Sequence, residues 1–121
     1  MQERRKYPRI DVDRPVTVRL SDQHRLTLKM IELSGKGMRF LCPIAPEINS
    51  EVELHFSLTS TDITHEFRFM SKVRHLYEVL ANPDTPPDYR YVVGVNFMNI
   101  RKEELVIFED FLQKLITGQD W

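Results

Sequence analysis

The sequence has a single cysteine, Cys42, which excludes an internal disulfide and a cysteine-based zinc site. It has almost no excess of either charge: the formal net charge is −1, which excludes the global polycation of a protein that coats DNA or RNA. No apolar run approaches the length of a membrane span, and no apolar signal region follows the basic start. A cytoplasmic protein without membrane insertion is therefore expected. His24, His55, His65 and His75 are scattered, with no i,i+4 pair on a helix and no cysteine partner, so no metal site is expected. A glycine-flanked nucleophilic serine and a phosphate-binding loop are both missing, and Ser34 has no identifiable base nearby, so no enzyme is expected either.

What is present is enough for a folded core. The 121 residues are 41% apolar and 29% charged, which fits one globular domain rather than disorder. The one concentrated charge is Arg4-Arg5-Lys6-Tyr7-Pro8-Arg9, opposed only by Glu3 up to that point. Pro8 removes a backbone donor and disfavours helix at Tyr7, so residues 1–14 are expected as a flexible arm ahead of a domain spanning 15–121. Guanidinium groups pair bidentately with phosphate or with the O6/N7 edge of guanine, and they stack on bases. Such an arm calls for an anionic, planar partner.

Past Asp11, Asp13 and Pro15, the segment Val16-Thr17-Val18-Arg19-Leu20 alternates apolar and polar and predicts a half-buried strand. A second strand is expected from Leu26 to about Leu33, with its phase blurred at Met30-Ile31 by cover on both faces or by a bulge. Further strands are expected at Met38–Cys42, Val52–Leu58, a long Thr64–Val79 bent near Met70-Ser71, and Tyr89–Phe97 interrupted by Gly94. Asn82 to Asp88 reads as a loop. Only about 101–117 changes to a helical period, with Asn99 as N-cap and Gly118 as stop. Six strands with short turns and one terminal helix predict a mainly β fold: an antiparallel β-barrel closed by a C-terminal α-helix. Phe40, Phe56, Phe67 and Phe69 fall on inward phases, which argues against a groove that stacks single-stranded nucleic acid.

The spacing Arg5-x-x-x-Arg9 is followed by Glu32-x-Ser34-x-x-Gly37 after the second strand, then by Tyr91-Val92-Val93-Gly94-Val95-Asn96-Phe97 and the helix. This layout, from Arg4 to about Gly118, resembles the PilZ domain, a family that binds the bacterial second messenger cyclic di-GMP on a six-stranded barrel. The resemblance implies that Arg5 and Arg9 grip phosphate and the guanine edge, while Ser34 and Gly37 contact the base. It implies that Arg4, a basic residue ahead of the pair, accompanies a stacked dimer of the ligand. An unidentified downstream protein is the implied partner, with no DNA or RNA. One position departs from the family pattern, which has Asp or Asn where this chain has Glu32. The carboxylate keeps the chemistry, accepting from guanine N1–H and N2–H, but the extra methylene moves it outward by roughly 1.5 Å. The alternative is a PilZ-fold interaction module in which Glu32 prevents nucleotide binding.

Overall fold

A computed structural model describes residues 9–20, 24–79 and 89–117. Six strands and one helix follow in order: β1 (Arg9–Arg19), β2 (Arg25–Ser34), β3 (Gly37–Cys42), β4 (Glu51–Ser60), β5 (Ile63–Glu78), β6 (Tyr91–Phe97) and α1 (Lys102–Ile116). The strands close into the antiparallel barrel that the sequence predicts, in the order β1-β2-β3-β6-β5-β4. Closure removes the free edges that an open sheet of this length would expose. The expected loop at 82–88, Gly118 and Trp121 lie outside the described residues.

Alternation along each strand supplies the interior. Val16 and Val18, Leu28 and Met30, Phe40 and Cys42, Leu54, Phe56 and Leu58, and Phe67 and Phe69 are all buried. The helix seals this interior with Phe108, whose ring meets Phe67 at 5.3 Å, Phe69 at 5.2 Å and Phe97 at 5.6 Å between centroids, all edge-on. Edge-to-face packing suits aromatic quadrupoles and adds to the gain from burial. Phe40, Phe56, Phe67 and Phe69 thus spend their faces inside the barrel, where no nucleic-acid base can stack on them.

Three expectations about element limits are corrected. β1 begins at Arg9 rather than Val16, so residues 9–14, expected in the arm, pair with β2. Asp11, Asp13 and Pro15 do not end the strand because a bulge between Asp11 and Arg14 absorbs them and turns Val12 into the core. Pro15 is tolerated because β4 pairs with β1 only at Thr17, Val18 and Arg19. In β5 the irregularity falls between Val73 and His75 rather than at Met70-Ser71. Helix α1 starts from Arg101 in extended conformation with no side-chain cap, while Asn99, expected as the cap, has φ 49° and precedes the helix. Val106, which fits the apolar period of the helix, is 62% exposed.

Candidate functional site

The phase change in β2 decides which side chains reach the outer surface. Leu28 and Met30 point inward; at strict alternation the next inward residue would be Glu32. A register shift between Met30 and Glu32 intervenes, and Leu33 takes the inward place instead. This is the bulge allowed for by the blurred pattern at Met30-Ile31. Burying a lone carboxylate would cost far more than one irregular ladder step. Glu32 and Ser34 are thereby held on the outside, where a ligand can reach them.

Pairing then assembles one lateral row across the outer face. Asp11 lies opposite Glu32, Glu32 opposite Arg39, Arg39 opposite Gly94, and Gly94 opposite His75. Glu32 Oε1 is 3.8 Å from Arg39 Nε, an ion pair longer than a hydrogen bond, with side chains 21% and 33% exposed. Gly94 makes a floor that the His75 side chain covers: a Cβ there would come within 3.2 Å of His75 Cβ and 3.4 Å of its Cδ2. Beyond it, the His75 and Tyr77 rings lie nearly parallel at 12°, with centroids 6.3 Å apart.

The turn from β2 to β3 borders this row. Ser34 Oγ accepts from the backbone N–H of Lys36 at 3.3 Å and of Gly37 at 3.2 Å, and donates to the Gly37 carbonyl at 3.4 Å. Its hydroxyl therefore closes its own turn, the habit of serine at such places. Gly37 is demanded by packing: a Cβ there would overlap the Val95 carbonyl oxygen and sit 3.1 Å from its carbon. The Lys36 carbonyl accepts from Phe97 N–H at 2.8 Å, which pins the turn to β6.

Of the residues singled out in the sequence, Glu32, Ser34 and Gly37 share this rim. Arg9 enters at the start of β1 with its Cα paired to Ser34. Arg4 and Arg5 lie outside the described residues. Arg39 was missed. Its signal was partial: alternation from Met38 puts it outward, but its place across from Glu32 depends on the register shift in β2. Cys42 is buried, and burial pushes its thiol pKa up, partly offset by a backbone hydrogen bond at Ile44. An inert thiol follows. No group of three or more His, Cys, Asp or Glu side chains suited to a metal occurs among the described residues. No described helix is long and apolar enough to cross a membrane.

A closed six-stranded antiparallel barrel, sealed by a C-terminal helix and carrying a serine-glycine turn on its outer rim, defines a small family of folds. The PilZ domain model matches residues 3–116, and the chain belongs to the PilZ domain family. Among solved structures it is similar to the Bacillus subtilis inhibitor of motility MotI (16% identity, TM-score 0.76, covering 98% of this chain and 52% of that one). It is also similar to Escherichia coli YcgR in complex with cyclic di-GMP (17% identity, TM-score 0.69, 97% and 48%). The PilZ domain of that YcgR with cyclic di-GMP matches over 97% of this chain and 95% of the other, at 15% identity and TM-score 0.71. The chain thus spans about half the length of MotI and YcgR. No curated protein sequence is significantly similar.

Proposed function

We propose that this chain is a cyclic di-GMP receptor in which Arg4, Arg5 and Arg9 close over the rim turn of Glu32, Ser34 and Gly37. The observation that carries this reading is the pairing of Arg9 with Ser34, which brings the end of the basic arm beside the family's serine-glycine turn. The PilZ membership and the cyclic di-GMP bound to the YcgR relatives support the choice of ligand. Arginine supplies the charge and the flat fork that phosphate and guanine need, while Glu32 accepts from N1–H and N2–H. The protein acts by binding, in the cytoplasm where the messenger is made. Ordering of the arm on the ligand presents a new surface to a partner protein.

Calorimetric titration of the chain with cyclic di-GMP tests this. Saturable heat is expected, with two ligands per chain as a stacked pair, and Arg5→Ala with Arg9→Ala should abolish it. One ligand per chain would remove the stacked pair; no heat at high ligand concentration would overturn the reading. Glu32→Asp should bind at least as tightly as the parent, since the shorter acid is the family's usual residue. A second reading, an interaction module that binds no nucleotide, is favoured by the ion pair that Glu32 makes with Arg39. The same titration decides between them.

A further inference from the structure

We infer that Arg39 is a ligand-contacting residue that acts with Glu32 as one reader of the guanine edge, an assignment that rests on the cyclic di-GMP reading above. Arg39 is two-thirds covered, yet among the described residues its guanidinium makes no hydrogen bond. The Glu32 carboxylate stands 3.8 Å from its Nε. No Arg39 nitrogen is among the buried, unpartnered polar atoms, so solvent reaches its donors. A ligand that brings acceptors to this position would take the place of that water.

The pair faces outward, and both side chains reach solvent. On the side away from Glu32 the paired residue is Gly94, and the His75 side chain lies over it. A base docking on Arg39 would have the His75 ring as its neighbour on that side. By contrast, Arg68 on β5 is exposed and has no ion pair among the described residues.

The order of the two groups matches guanine. Along one edge guanine presents the N2 amino and N1–H donors, then the O6 and N7 acceptors. Glu32 and Arg39, directly opposite on adjacent strands, present a carboxylate acceptor and then guanidinium donors. Each half of the pair meets its complement. Adenine has an amino donor where guanine has O6, and it has neither N1–H nor the N2 amino group. On adenine the same pair would set donor against donor and acceptor against acceptor, which discriminates strongly. Glu32 thus holds the guanidinium in place and reads the base beside it. The ion pair itself, long and partly exposed, adds little to the fold.

The test is calorimetry of the full chain with three dinucleotides: cyclic di-GMP, cyclic di-AMP, and cyclic di-IMP, which lacks only the N2 amino group. The parent should prefer cyclic di-GMP to cyclic di-AMP. Arg39→Gln should weaken cyclic di-GMP by about tenfold or more, the loss of one bidentate contact. It should weaken cyclic di-IMP by the same factor, because O6 and N7 remain. Glu32→Gln should lose less against cyclic di-IMP than against cyclic di-GMP. Arg68→Gln should change nothing. Arg39→Lys, which keeps the charge but not the fork, guards against a misfolded Arg39→Gln and should also bind more weakly. A parent that binds while folded Arg39→Gln and Arg39→Lys bind equally well would overturn this inference and leave the receptor reading standing. A parent that binds none of the three overturns both.

Discussion

Two outward faces of the same barrel set arginine beside glutamate across neighbouring strands, and they differ in what surrounds the pair. At the β1–β4 seam, Arg19 Nη2 stands 3.3 Å from Glu53 Oε1, and His55 Nε2 stands 3.3 Å from Glu66 Oε1. Thr17, Arg25 and Arg68 fill the remaining places around a cavity of about 30 Å³, room for little more than water. Arg25 and Arg68 are exposed there, so solvent answers their donors. On the rim, the Glu32–Arg39 pair is looser, at 3.8 Å, and it flanks the serine-glycine turn. The seam carries more arginine than the rim row. Charge alone therefore does not mark the proposed site: a loosely held pair flanking that turn does.

The strongest way to break the contrast is Gly37→Ala. Its Cβ would meet the Val95 backbone, which cannot rotate away as a side chain can, so a loss near the upper end of about 1–3 kcal/mol is expected. Urea unfolding would measure it; an unchanged midpoint would mean that the turn can shift away from β6. Next in size is Gly94→Ala. The added methyl presses only on the His75 side chain, so stability should fall by less than about 1 kcal/mol. Affinity for cyclic di-GMP should nevertheless drop by roughly tenfold, because the displaced His75 ring shifts beside the Glu32–Arg39 pair. If affinity held while stability fell, the floor would be a packing feature and not part of the site. The smallest effect belongs to the seam. A double-mutant cycle with Arg19→Gln and Glu53→Gln should give a coupling of no more than about 1 kcal/mol, with ligand affinity unchanged.

Much of the barrel was legible because period-2 alternation is a local signal. Phe67 and Phe69, or Leu54, Phe56 and Leu58, announce their inward face without reference to any partner. The limits of the elements were less legible. Asp11, Asp13 and Pro15 carry strong turn chemistry, and a paired neighbour plus a bulge overrode it. Asn99 looked like a cap, but the chain uses it at positive φ before the helix instead. Val106 fits the helical period and is still exposed, so the apolar stripe of α1 is wider than the face it buries. At the site, the motif residues Glu32, Ser34 and Gly37 were readable from spacing. Arg39 was readable as outward-facing but not as part of the rim.

The sequence by itself determined the strand periods, the terminal helix, the basic stretch at its start and the serine-glycine turn, since each depends on residues within a few positions of one another. Only the tertiary structure decided that Asp11, Glu32, Arg39, Gly94 and His75 share one row. That row spans five strands and depends on three register shifts, and one slipped residue in any of them would turn its members to the other face. Closure of the barrel settles those shifts, because each strand must satisfy two neighbours and a common core at once.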